Sequence, residues 1–453
     1  MQIQQISVNG LFGIFDHVIP LNMAEKITII HGPNGFGKTV MLRMLNGLFN
    51  SRYSVFRSIP FSKFRVEFDN GSSVEVVKTP DKTGKVKKRE SINIDFYKLS
   101  SERQSFILKE TKDFQDVDAL INILDDIPGL SRIAPKQWVY IPTLEALSLN
   151  EVIDRFEDII PSMSKLREEP DWLNNLKNDI HIRLIESQRL LNFVPSHSSI
   201  EYSGASSMLP TVSAYSDELA KLIQSKLAEY GTTSQSLDRT FPARVVQQKQ
   251  SPDLTDEQLR HQLNKLEDTR SRLIEVGLLD KDENSDFQIQ PQDRAIDEST
   301  KNILSVYVDD VEKKLSVFSE IANKIELLRI IVNNKFAYSY KEMNFNKEKG
   351  FVFKTGLNSS SSHTDTLSPT DLSSGEQHEL VLFYELLFKV QPNSLVLIDE
   401  PELSLHVGWQ AQFLKDLQEI TKLADLDVLM ATHSPDIIQD RWDLTVELKG
   451  ATK

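Results

Sequence analysis

The sequence predicts an α/β fold: a mixed sheet flanked by helices, with a long helical region inserted into it. Three observations carry that expectation. Near the N-terminus an apolar strand passes through a glycine-rich turn into an amphipathic helix, and near the C-terminus two further apolar strands end in polar residues. Between them, the expected insertion 195–335 carries apolar residues at helical spacing over 259–273 and 304–325 rather than in alternation.

Taken in order, "QIQQISV" and "EKITIIHG" read as strands, and Met41, Met44, Leu45 and Leu48 fall at i, i+3, i+4 and i+7, one face of a helix. Phe64, Val66 and Phe68 alternate with polar residues, Asp69-Asn70-Gly71 supplies a turn, and Val74 and Val76 resume the alternation, which reads as a β-hairpin. Residues from about 100 to 180 read as mostly helical and lead into a short strand near Ile182–Ile185. The Ser-, Gly- and Pro-rich "PSHSSIEYSGASSMLP" reads as loop. Thr255-x-x-Gln258 is a capping box that opens a helix bearing Leu259, Leu263, Leu266 and Leu273. Leu304, Val308, Val311, Leu315, Phe318, Ala322 and Ile325 follow in steps of four and three, the coiled-coil spacing. Either an antiparallel helical arm or a helix pair packed on the core would satisfy both patterns. "FAYSYKEMNFNKEKGFVFKTG" reads as strand, turn, strand. The expected domains are 1–194, the N-terminal half of the α/β head with a helical insert at about 100–180; 195–335, the helical insertion; and 336–453, the C-terminal half of the head.

A chain of 453 residues, 40% of them hydrophobic, has room for two or three domains. It contains no apolar run of about 18 residues, and "MQIQQISVNG" lacks the character of a signal peptide, so a cytoplasmic protein without a membrane partner is expected. The absence of cysteine excludes disulfides and thiolate metal sites. A net charge of -14 argues against a protein that coats nucleic acid. The basic run "DKTGKVKKRE" at 81–90 could still grip it, although such runs are usually solvated loops.

Gly32-Pro33-Asn34-Gly35-Phe36-Gly37-Lys38-Thr39 has the form G-x-x-x-x-G-K-T, and with Val40 it makes up the expected nucleotide-binding set. Its glycines let successive backbone N–H groups curl toward one anion, Lys38 places a cation on the β and γ phosphates, and the Thr39 hydroxyl reaches Mg²⁺. ATP and Mg²⁺ are therefore the expected cofactors. In "SLVLIDEP" an apolar strand delivers Asp399 and Glu400 to its carboxyl end, where ligands of open α/β sheets bind. Asp399 is placed to hold Mg²⁺ directly or through water, and Glu400 to act as base or orienter for the attacking water. The plainer alternative is an acid pair that merely ends a strand. His433, after "DVLMAT", could bond a γ-phosphate or the water, or simply precede a helix that starts near Ser434-Pro435.

"LSSGEQ", Leu372 to Gln377, reads locally as two overlapping capping boxes, Ser373-x-x-Glu376 and Ser374-x-x-Gln377. Together with "GPNGFGKT", "LVLIDEP" and "ATHSP" it resembles the signature motif of ABC-type ATPases, the four motifs standing in that family's order. The resemblance implies an ABC-type P-loop ATPase head that converts ATP and water to ADP and phosphate. It implies heads paired with ATP between them, as a homodimer or higher homo-oligomer. Ser373, Ser374, Gly375, Glu376 and Gln377 of one copy would be the signature acting in trans, with Ser374 and Gly375 on the γ-phosphate held at Lys38 of the other. It also implies a glutamine at a strand end that senses Mg²⁺ and the water; Gln188 in "IRLIESQRLL" is the first choice and Gln137 in "APKQWVYIP" the second.

"DEPELSLH" followed by "THSP" is similar to the soluble branch that includes RecF, the overcoming-lysogenization-defect (OLD) nucleases and bacterial anti-phage ATPases. OLD-like proteins carry a Toprim nuclease after the ATPase, whereas this chain ends about 20 residues beyond His433, so a separate effector is expected. "YGTTSQSLDRTFPARV", "SLVLIDEPELSLHVGWQAQFLKDLQEI" and "DVLMATHSPDIIQDRWDLTVEL" most resemble the ATPase subunit of the PARIS anti-phage system. That resemblance implies a Toprim nuclease partner released on sensing a phage trigger protein. The alternatives are a Septu-type ATPase with an HNH nuclease and a RecF-like repair ATPase that binds DNA.

Overall fold

The computed structural model describes residues 1–80, 90–98, 102–108, 121, 124, 125, 127, 129–141, 145–156, 169–186, 210–247, 255–281, 296–355 and 366–450. The chain divides into two compact units, Met1–Leu209 with Glu385–Lys453, and Pro210–Tyr384. Residues 336–384, assigned from sequence to the C-terminal half of the head, fall in the second unit.

The first unit opens with β1 (Ile3–Leu11), β2 (Phe15–Pro20) and β3 (Ile27–His31), the helix Lys38–Phe49 and a short helix at Ser54–Ser58. Then come β4 (Lys63–Phe68), β5 (Ser73–Pro80), β6 (Glu90–Tyr97) and β7 (Gln104–Ile107). Six of these strands form a sheet in the order β2-β1-β4-β5-β6-β7 with antiparallel neighbours, and the expected hairpin is β4 and β5, pairing Phe64 with Val76 and Val66 with Val74.

The region expected to be mostly helical, about 100–180, is largely strand up to Ser148 among its described residues. β8 (Leu130–Ala134), β9 (Gln137–Tyr140) and β10 (Glu145–Ser148) make a separate antiparallel sheet, followed by helices at Leu149–Phe156 and Asp171–Asp179. Trp138, Tyr140, Leu147, Val152 and Phe156 belong to a small core of its own. Strands of four or five residues give too few alternations to declare their period, so neighbouring helix dominated the sequence pattern. β11 (Ile182–Ile185) stands where expected.

The second unit holds the helices Thr211–Gln247, Asp256–Glu275, Glu298–Ser316 and Ser319–Phe336. The Thr255–Gln258 capping box is formed, and Leu259, Leu263, Leu266 and Leu273 are buried. The coiled-coil spacing is shared by two helices, not one, because the chain breaks at Val317 and Phe318. Phe318 is fully buried and its ring lies 5.2 Å from that of Tyr230. The helix Glu298–Ser316 packs against both Thr211–Gln247 and Asp256–Glu275, with Arg244 ion-paired to Asp310, so the segment is a packed bundle. After it, β12 (Lys341–Asn346), β13 (Gly350–Thr355) and β14 (Thr366–Leu367) form a small antiparallel sheet, and the helix Ser374–Tyr384 closes the unit.

Back in the first unit come β15 (Leu395–Asp399), the helix Val407–Ala424, β16 (Asp427–Ala431), a short helix at Pro435–Ile438 and β17 (Thr445–Glu447). They complete a parallel sheet in the order β11-β15-β16-β3-β17. All five residues of β15 are buried, as a parallel strand covered on both faces requires. The fold class is the expected α/β head, with one difference: parallel and antiparallel strands occupy separate sheets instead of one mixed sheet. One core joins them, Met41, Leu45 and Phe49 lying in the same cluster as Val66 and Val76 of one sheet and Leu397 and Leu429 of the other. Among the described residues no helix is long and apolar enough to cross a membrane.

Candidate functional site

β15, β16 and β3 are successive parallel neighbours, so their carboxyl ends open on one edge of the sheet. Three loops leave that edge, and they carry the residues of three motifs that are distant in sequence.

The first loop, 32–37, turns through Gly35 at φ 85° and Gly37 at φ 89°, a left-handed path open to glycine at no steric cost. At Gly37 a Cβ would also collide with Leu11 Cδ2. The helix starts at Lys38 with no side-chain cap from Gly37, which leaves its first N–H groups directed at whatever lies ahead of it. His17 of β2 supports the loop: its Nε2 donates to the Phe36 carbonyl at 2.9 Å, and Phe15 packs on Phe36 with ring centres 5.0 Å apart. Burial lowers the His17 pKa, which suits a neutral ring with its proton on Nε2. Sequence reasoning missed His17 because nothing local pairs β2 with the loop.

Lys38 is buried, and its ammonium donates to the Gly32 carbonyl at 2.8 Å and the Pro33 carbonyl at 3.2 Å. Burial lowers its pKa, while Glu400, Glu402 and Asp399 act in the opposite direction. Thr39 Oγ1 donates to Asp399 Oδ1 at 2.9 Å, so the two residues assigned from sequence to the cation meet although 360 positions separate them. Burial pushes the Asp399 carboxyl up to about 6, the Thr39 bond opposes the rise, and Glu400 adds to it. Among the described residues there is no group of three or more His, Asp or Glu able to hold a metal. An oxygen pair from hydroxyl and carboxylate fits a Mg²⁺ ion that takes its remaining ligands from phosphate and water.

Glu400 has φ 44° and ψ 59°, a left-handed conformation unusual for a non-glycine residue. Its N–H donates to the Ala431 carbonyl at 2.9 Å, and its Oε1 lies 3.6 Å from His433 Nε2. His433 Nδ1 is 3.4 Å from the Lys38 ammonium, so the ring stands between the cation and the acid. β16 ends at Ala431, two residues before His433, and the helix after it begins at Pro435.

Glu402, which sequence reasoning did not single out, ties the second loop to the third. Its carboxylate accepts from Thr432 Oγ1 at 2.8 Å and from the His433 N–H at 2.6 Å. The only signal for it was a second acid two residues after Glu400 in "DEPE".

The residues assigned from sequence to the signature, Ser373 to Gln377, lie in the second unit. Ser373 caps the helix that starts at Ser374: its Oγ accepts from the Glu376 N–H at 3.4 Å, and Glu376 Oε2 accepts from the Ser373 N–H at 2.8 Å. The second expected box is not formed. Gln377 Nε2 donates instead to the Leu372 carbonyl at 2.8 Å and the Thr370 carbonyl at 3.2 Å, because those carbonyls turn toward it from the preceding turn. Ser373 and Ser374 are exposed, and Gly375 is half-buried. Gln137 is exposed on β9. Gln188 lies outside the described residues, as does nearly all of the basic run 81–90.

A family model for an AAA ATPase domain matches residues 1–438. No curated protein matches the chain. Among solved structures it is similar to the Smc head domain with an extended coiled coil from Pyrococcus furiosus, bound to the C-terminal domain of ScpA, at 12% identity, covering 100% of this chain and 94% of that one, with a TM-score of 0.33. The SMC head domain from Thermotoga maritima is similar at 9% identity, covering 97% and 92%, with a TM-score of 0.33.

Proposed function

The chain belongs to the AAA ATPase domain family, and on that premise we propose that it binds and hydrolyses ATP at a site completed by a second copy of itself. The observation that carries the reading is the convergence of Lys38, Thr39, Asp399, Glu400 and His433 from three loops on one sheet edge. The loop N–H groups and Lys38 hold the phosphates, the buried cation acting with little competition from water. A Mg²⁺ ion on Thr39 and Asp399 would neutralise phosphate charge. Glu400 takes the proton of the attacking water, and His433 beside it orients the reacting groups. The signature supplies the other half: Ser374 and Gly375, at the N-terminus of an 11-residue helix, face the γ-phosphate bound by the partner copy.

We further infer a sensor or scaffold role in anti-phage defence, with ATP state controlling a separate nuclease of Toprim type in preference to HNH type. The support is the run "DEPELSLH" with "THSP" and the segments that resemble the PARIS ATPase; the charge of -14 weighs against a DNA-gripping alternative.

Three variants test the ATPase reading. Lys38→Ala should abolish ATP binding. Glu400→Gln should bind ATP, lose at least about a hundredfold in turnover and trap an ATP-dependent pair, read by mass in solution. Ser374→Tyr should bind ATP but neither associate nor hydrolyse. Wild-type turnover by a strictly monomeric form would overturn the two-copy site. Copurification with a Toprim protein would support the defence reading, an HNH partner would move it to the Septu type, and a repair protein would undo both.

A further inference from the structure

Glu376, grouped from sequence with the residues that face the nucleotide, is turned inward. It is 3% exposed, and its two oxygens accept from Ser373 N–H at 2.8 Å, Ser339 Oγ at 2.7 Å, and Lys341 Nζ at 2.8 and 3.0 Å. Burial raises the pKa of this carboxyl, yet the bonds from Lys341, Ser339 and Ser373 together hold it below its ordinary value. One turn along the same helix, Glu379 pairs with Lys335, each side chain 1% exposed, and the Lys335 ammonium lies 4.7 Å from the centre of the Phe383 ring. Two acids on one face of the signature helix are thus held by two lysines, one from the helix Ser319–Phe336 and one from β12.

Ion pairs buried in this way are a weak source of stability, because desolvation offsets much of the attraction and well-packed apolar residues often serve as well. What they add is direction. Apolar contacts tolerate rotation of a helix about its axis, whereas a carboxylate with its acceptor positions filled does not. Glu376 also closes the capping box by accepting from the Ser373 N–H, so the chain of bonds runs from Lys341 through one carboxylate to the backbone at the start of the signature.

We propose that Lys341 and Ser339, acting through Glu376, are positioning residues that set the rotation of the signature helix. They thereby set the direction in which Ser374 and the first N–H groups meet a phosphate held by a second copy. The proposal rests on the two-copy reading. It assigns Glu376 to holding the helix, leaving contact with the anion to Ser374 and Gly375.

The test compares Lys341→Met, Lys341→Arg and Ser339→Ala in the full chain. It measures ATP affinity at low protein concentration, ATP-driven association in a Glu400→Gln background, turnover, and the thermal midpoint. Lys341→Met should keep ATP affinity within about twofold and lose at least about tenfold in both association and turnover, the loss expected for a charged hydrogen bond to a buried carboxylate. Lys341→Arg should recover most of that loss, and Ser339→Ala should lose about threefold or more. Wild-type association and turnover in Lys341→Met would overturn the proposal. So would a loss that Lys341→Arg fails to recover and that tracks the thermal midpoint. If Lys341→Met does not fold, unchanged association in Ser339→Ala would overturn it. Ser374→Tyr separates the two ideas: association that survives this change ends the two-copy reading. Association lost there but intact in Lys341→Met and Ser339→Ala ends only the positioning role.

Discussion

Asp399 shows what burying an acid at the candidate site costs the fold. Its carboxyl is pushed up to about 6 from an ordinary 3.8, chiefly by burial, so ionising it in the cation-free protein costs stability. The sign follows from linkage: the native state binds the proton more tightly than the unfolded chain. This group's contribution is therefore full below about pH 4, falls as pH rises toward 6, and stays lost above that. The shift corresponds to roughly 2–3 kcal/mol. Asp399→Asn should remove that dependence. Subtracting its stability curve from wild type, measured by calorimetry without nucleotide or Mg²⁺, should leave a difference that grows against wild type between about pH 4 and 6; a flat difference would contradict the assignment. Asp399 and Glu400 could be found from sequence because a buried parallel strand ending in two acids is a local pattern. Glu402 and His17 could not, since each acts on a loop from another part of the chain: Glu402 on Thr432 and His433, His17 on Phe36. Glu376 was legible as a cap, but its burial depends on Lys341 and Ser339, more than 30 residues earlier.

At the level of elements, long periodic segments and unbroken apolar runs were legible, whereas the short alternating strands of Leu130–Ser148 were not. The leucines of Asp256–Glu275 repeat their pattern often enough to declare themselves, and the strand Leu395–Asp399, though short, stands out as an unbroken apolar run that ends in acids. The helix Thr211–Gln247 was missed because its buried residues, Thr211 to Ile223, occupy only its first part, and the rest is largely polar and contains Pro242. The break at Val317 and Phe318 was hidden because the four-and-three spacing crosses it without interruption. The β8–β10 sheet depends on a satellite core in which Trp138 is fully buried and donates Nε1 to Asp125 at 2.8 Å. Trp138→Ala should therefore cost about 3–5 kcal/mol locally. The expected outcome is an earlier, separate unfolding transition with nucleotide binding retained, read by denaturant titration monitored beside a fluorescent ATP analogue. A single transition with binding lost throughout would mean that the small sheet is not an independent core.

For the whole molecule the consequence is concentration dependence. If each site needs the signature of a second copy, turnover per chain should rise with protein concentration and level off once pairing saturates, whereas a self-sufficient site would give a constant value. Steady-state rates over a thousandfold dilution series decide between them, and Glu400→Gln should shift the pairing midpoint to lower concentration. The sequence by itself pointed to a P-loop ATPase domain, to the parallel strands that bear the motifs and to Lys38, Thr39, Asp399, Glu400 and His433 as the candidate site. Those features are written over a few consecutive residues, where backbone freedom and alternation act locally. Only the tertiary structure decided that Thr39 bonds Asp399, that Glu402 joins two loops, that the strands separate into two larger sheets, and that Glu376 turns inward to Lys341. Each of these depends on which strand lies beside which, and strand order is set by burying apolar surface across the whole chain, a quantity that no short window of sequence contains.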